Sequence, residues 1–164
     1  MKNSNENRTE SVAAIAKHPL HPFLVAFPIA FLIGAFGCDL VFWRTGDPFW
    51  TRASFWLIAA GLATGVVAAA TGFIDFISIK RARSLTSAWV HFIGNDLALL
   101  LTAGNLWSRF SDHSANVIPG GVITSGAVVA IFAVTGWLGG ELAFRHHVGM
   151  IRTTNTAGQF TARS

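Results

Sequence analysis

The stretch "KHPLHPFLVAFPIAFL", residues 17–32, places two histidines and three prolines at the mouth of an apolar run that continues to Trp43. About 20 helical residues cross a hydrocarbon core roughly 30 Å thick, so the run 19–43 is long enough to span. Working outward, three further stretches have the same character: 53–79, 88–107 and 119–142. A soluble four-helix bundle shows a polar face on each helix, and these stretches show almost none. Only 12% of residues are charged, about half the usual share of a globular domain, and the mean hydropathy is +0.50. The expected fold is therefore all-α, an integral membrane four-helix bundle over residues 18–150. Polar tails at 1–17 and 151–164 flank it.

The basic pI near 10.2 does not point to nucleic acid, because the cations collect at the ends of the apolar runs, where they anchor helices. The first run is too long for the apolar core of a signal peptide and lacks a small-residue cleavage pattern, so it reads as a retained anchor. Cys38 is the single cysteine. This excludes an internal disulfide, a CxxCH haem attachment and a cysteine zinc cluster; a small residue in a packed helix is the expected role.

Lys and Arg distribute unequally between the two ends of the runs. Lys2, Arg8, Lys17, Lys80, Arg81, Arg83, Arg145, Arg152 and Arg163 fall on one side, and Arg44, Arg52 and Arg109 on the other. The positive-inside bias then predicts both termini cytoplasmic, with Trp43, Trp50 and Trp107 at the outer interface and Trp89 at the inner one. Pro22 suits a first helical turn, whereas Pro28 is expected to kink helix 1 and free the carbonyl near Leu24. Thr86 or Ser87 is expected to cap helix 3, and "RTGDPFW" and "NVIPGG" read as turns.

Small residues permit close helix approach in lipid. Helix 2 offers the stripe Gly61, Gly65, Ala68, Gly72 and Asp75, and helix 4 the stripe Gly126, Ala130, Ala133 and Gly140. On helix 3, His91, Asn95, Ala98, Thr102 and Asn105 share a mostly polar face that must point inward. Asp96 lies about 100° round from Asn95 and is expected to face a second neighbour or a partner subunit. Asp39, Asp75, Asp96 and Glu141 are the acidic residues in or at the ends of helices, and membrane ionisable residues are candidates for function. Glu141 and Arg145, four apart, make a structural pair.

Topology converges His18, His21, His91, His146 and His147 with Asp75 on the inner face, leaving His113 in an outer loop as a solvated residue. Positive potential at a helix N-terminus disfavours imidazolium, so His21 and His91 are available as neutral ligands. Neutral imidazole with carboxylate suits zinc, iron, nickel or copper, and two facing histidines suit haem. Gly72, Gly94, Gly139 and Gly140 leave room for a flat cofactor, and Lys80, Arg81 and Arg83 suit its propionates. The alternative is structural: HPLHP stiffens and caps helix 1 while its imidazoles bond to carbonyls.

"HPLHPFLVAFPIA", "TGFIDF", "WVHFIGN" and "GWLGGELAFRHHVGM" resemble the bacterial small membrane proteins of the family called domain of unknown function 2231. The similarity runs from about His18 to Met150 and implies a four-helix membrane protein without an established activity. The resemblance singles out His18, His21, Asp39, Asp75, His91, Asn95, Gly139, Gly140, Glu141, Arg145 and His146. His147 stands where relatives have glycine, and Ala26 where they have a further histidine. Some relatives are joined to Rieske-type iron–sulfur modules, which points towards electron transfer by association.

The expectation is thus a multi-pass protein of the bacterial inner membrane, without assigned catalytic residues. A haem b or transition metal is held by His21, His91, His146 and Arg145, or by His18, His21, Asp75, His91 and His146. Asp39, Asn95, Asn105 and Glu141 form the polar interior. Expected partners are the lipid bilayer, a redox or membrane-protein partner and a second copy. The alternatives are a cofactor-free structural or assembly subunit, or a proton or ion path through Asp39, Asn105, Asn95 and Asp75.

Overall fold

A computed structural model describes residues 14–15, 18–114, 116–145 and 148. Two residue pairs, β1 (Ala14–Ile15) and β2 (His18–Pro19), bridge antiparallel and lead into α1 (Leu20–Leu24) and α2 (Ala26–Thr45). The helix is interrupted at Val25, one turn before Pro28. Proline has no N–H to donate, so it frees the carbonyl four residues back, on Leu24. The helical ladder resumes with Ile29 N–H donating to the Val25 carbonyl at 3.4 Å.

The turn into α3 (Pro48–Ser78) is built from three adjacent residues. Gly46 adopts φ 68°, a left-handed C-cap that lets its N–H reach the Phe42 carbonyl; glycine carries no Cβ penalty there. Asp47 caps the next helix by accepting from Phe49 N–H at 2.9 Å, and Pro48 occupies the first turn, where its missing donor is harmless. A short α4 (Lys80–Arg83) joins α3 to α5 (Thr86–Ser108). Helix α5 begins after Leu85 without a side-chain cap, so neither Thr86 nor Ser87 acts as expected. After α5 the chain turns back through Asn116, at φ 59°, and the extended Ile118, at φ −116° and ψ 125°, before it runs into α6 (Val122–Phe144).

The four long helices pack as two hairpins, α2 on α3 and α5 on α6, which meet through α2 with α6 and α3 with α5. Leu32, Ala35, Ile58, Ala98 and Val128 form a buried apolar layer across the middle. Ile79, Ala82, Ala88 and Leu142 form a second cluster beneath α4. Gly61 and Gly65 are buried, as helix 2's stripe requires. A Cβ on Gly61 would lie 2.7 Å from Leu32 Cγ, so glycine sets the α2–α3 approach.

Helix α6 turns a different face inward from the one its small residues suggest. Ser125, Val128, Thr135 and Leu142 are buried, whereas Ala130 and Ala133 are exposed. Two of the four buried positions, Ser125 and Thr135, carry hydroxyls that hydrogen-bond inside the bundle, so small size alone misassigns the face.

Among the described residues, three helices are long and apolar enough to cross a membrane: Leu20–Thr45, Pro48–Ser78 and Val117–Phe144. In each, only 22% of the most apolar window is buried, so most apolar side chains face outward, as a lipid solvent demands. Trp137, 79% exposed, is the extreme case. Helix α5 is not among the three. His91, Asn95, Asp96 and Asn105 dilute its apolar character while spending their polarity on the bundle interior.

Candidate functional site

His21 on α1 and His91 on α5 line one cavity of about 490 Å³, within the usual range for small-molecule sites. Their rings are held alike. His21 Nδ1 lies 2.8 Å from the Ala68 carbonyl, and His91 Nδ1 lies 2.7 Å from the Thr135 carbonyl. A carbonyl only accepts, so Nδ1–H is the donor in both rings and Nε2 is left as the basic nitrogen. A backbone carbonyl on the far nitrogen is the usual orienting partner of a metal-binding histidine.

Each ring also occupies the space that a side chain on the facing glycine would take. A Cβ on Gly72 would come within 2.8 Å of the His21 ring, and one on Gly139 within 2.9 Å of the His91 ring. The ring centroids are 6.1 Å apart, with planes 85° to one another. Asn95 steadies α5 beside His91. Its Nδ2 donates to the His91 carbonyl at 2.7 Å, and its Oδ1 accepts from Thr135 Oγ1 at 3.2 Å.

The remaining candidates divide. Asp75, Asn95 and Asp96 line the same cavity, and Asp75 is 8% exposed. Arg145 is 78% exposed on its side chain and binds Glu141 at 3.0 Å along its own helix, so it is absent from the cavity wall. Lys80, Arg81 and Arg83 are exposed and outside the lining as well. Gly94 packs against Thr135 Cγ2 and not against open space. Ala26 is exposed and off the lining.

The His18 side chain, His146 and His147 lie outside the described residues. Among the described residues no group of three or more His, Cys, Asp or Glu is placed to hold a metal ion. The expected multi-residue metal cluster is not assembled by them, and what remains is the histidine pair.

At the opposite end of the bundle Asp39 and Asn105, expected in the polar interior, are buried together with partners that sequence reasoning missed: Arg109, Ser54 and Ser125. Arg109, counted above among the anchoring cations, is fully buried and clasps Asp39 with two hydrogen bonds, Nη1 to Oδ1 at 2.7 Å and Nη2 to Oδ2 at 2.8 Å. Ser54 donates to Oδ1 at 2.6 Å and Ser125 to Oδ2 at 2.8 Å. Arg109 Nε reaches Asn105 Oδ1 at 2.9 Å, and Asn105 Nδ2 donates to Ser125 Oγ at 3.0 Å. The network joins α2, α3, α5 and α6. Among the described residues no buried side-chain nitrogen or oxygen lacks a partner. One sequence signal was available: Asp39 is an aspartate in an apolar run, and such a charge needs an opposite one.

His113 differs from expectation too. Its ring packs 4.2 Å from that of Phe55, centroid to centroid, so it is half-buried and not a solvated loop residue.

A bundle whose outward surface is apolar and whose charges are paired inside defines an α-helical membrane protein. Residues 17–152 match the family described as predicted membrane protein (DUF2231), and the chain belongs to that family. No curated protein and no solved structure matches it.

Proposed function

We propose that this protein is a four-span bacterial inner-membrane protein with cytoplasmic termini, which binds haem b between His21 and His91 and serves as a redox accessory. The histidine pair is the observation that carries the reading. Haem iron takes imidazole as an axial ligand. Two Nε2 atoms bound to one metal at about 2 Å each hold their ring centroids about 6.2 Å apart; the observed separation is 6.1 Å. The macrocycle supplies the other four donors, so no third protein ligand is required. The cavity wall of Phe73, Phe76, Phe92, Leu99 and Phe132 offers an apolar surface to a flat ring.

Bound there, haem would supply one-electron exchange with a partner in the membrane; the chain's own residues orient it and exclude water. Four spans and inward termini are supported by four long helices of alternating direction and by the excess of Lys and Arg at the histidine end. The ion-path alternative meets an obstacle. The apolar layer of Leu32, Ala35, Ile58, Ala98 and Val128 separates Asn95 from Asn105 and Asp39, and Asp39 is locked by Arg109.

The test is a visible spectrum of protein purified in detergent from haem-replete cells, oxidised and then reduced, with iron determined by elemental analysis. A Soret band and sharp reduced bands are expected, lost in both His21→Ala and His91→Ala. Colourless, iron-free protein that also fails to take up added hemin rejects the reading and leaves the structural-subunit role.

A further inference from the structure

Buried positions of the two hairpins correspond at constant offsets. Asp39 and Arg109 are separated by 70 positions. The same offset takes His21 to His91, and buried Pro28, Leu32 and Ala35 to buried Ala98, Thr102 and Asn105. Helices α3 and α6 correspond at their own constant offset. Ile58, Gly61, Ala68 and Asp75 map onto Ser125, Val128, Thr135 and Leu142, which are all the buried residues of α6. Gly72 maps onto Gly139 in the same register. Two parallel halves of this kind are related by a pseudo-two-fold axis along the membrane normal. An axis of this kind makes each half present the same patch to the other. The histidine pair and the ion pair both occupy equivalent positions across the axis, one at each end of the bundle.

Each imidazole thus sits in a copy of the same clamp: a carbonyl acceptor on the second helix of its own hairpin, then a glycine one turn further along that helix. From the repeated clamps we infer that the two half-sites ligate the haem equally from both faces, giving a six-coordinate, low-spin centre with axial imidazole planes near perpendicular and no open position for an exogenous ligand. The inference rests on the haem reading above and goes beyond it. Neither ring can swing away without losing its carbonyl, and neither can rotate freely over its glycine. The 85° between the planes is therefore a property of the protein frame and is retained when the iron is bound. A centre closed on both faces suits electron carriage; binding or activating a gas requires a vacant site.

Electron paramagnetic resonance of the ferric full-length protein, with carbon monoxide added to the dithionite-reduced form, tests this. The expected ferric spectrum is a strongly anisotropic low-spin signal dominated by one low-field feature, and the reduced spectrum is unchanged by carbon monoxide. Gly72→Ala and Gly139→Ala each press a methyl on one ring, so each is expected to shift the low-field feature to higher field, by matching amounts. A high-spin ferric signal, carbon monoxide binding, or the three-line rhombic spectrum of parallel imidazoles in wild-type protein overturns the inference while leaving haem binding intact. Protein that takes up no haem overturns both. The wild-type spectrum decides the matter even where a glycine variant fails to fold.

Discussion

Removing one partner of the Asp39–Arg109 pair is expected to be the most damaging single change in this protein. In Asp39→Leu the guanidinium loses both charged bonds and keeps only Asn105 Oδ1 and Ser54 Oγ as acceptors. Both side chains are 0% exposed, so no water replaces the carboxylate. Breaking a buried pair from one side costs about 3–5 kcal/mol, because the remaining charge is stranded. Removing both charges is a different perturbation. In Asp39→Leu/Arg109→Met the two apolar side chains approximate the lost volume, the freed serines can bond to carbonyls of their own helices, and the expected net change is about 1 kcal/mol or less. The assay is SDS-induced unfolding in mixed micelles followed by tryptophan fluorescence, with the three variants closed into a cycle. A cost below about 1 kcal/mol for Asp39→Leu would refute the reasoning, as would a double variant whose loss equals the sum of the singles. Either result would mean that water or lipid headgroups reach the pair.

Three further outcomes follow from the packing. Gly61→Val forces branched carbon into Leu32 and is expected to cost about 1–3 kcal/mol in the same unfolding assay, with Gly104→Ala, which has nothing within 4 Å, as a near-neutral control. Asp47→Ala deletes the cap at the α2–α3 turn and is expected to lower stability by about 1 kcal/mol, measured likewise, with Asp47→Asn retaining most of it. In a Cys38→Ala background, Arg83→Cys and Ser111→Cys are expected to react with an impermeant thiol reagent from opposite faces of sealed vesicles; labelling of both from one face contradicts the even number of crossings.

The apolar runs carried the architecture because a hydrocarbon solvent imposes length and composition on any segment that crosses it. Helix 2's glycine stripe was legible for a related reason: its period of three and four has no other use. Polar residues on helix 3 were legible as an inward face, since lipid offers them no hydrogen bond. On helix 4 the stripe of small residues pointed to the wrong face; the hydroxyls of Ser125 and Thr135 mark the inward one. Arg109 was misread as an anchor since it stands at the end of a run, where cations usually reach water.

By itself, the amino-acid sequence determined that this chain crosses lipid, that the polar face of helix 3 cannot touch that lipid, and that two histidines enter the bundle from one end. Only the tertiary structure decided which partner each polar group takes. Ala68 and Thr135 receive the imidazoles, and Arg109 receives Asp39, at separations of 44 to 70 residues. Such pairings depend on helix rotation and offset. Those are set by the summed packing of small residues across all four helices, and no local window of sequence contains that sum.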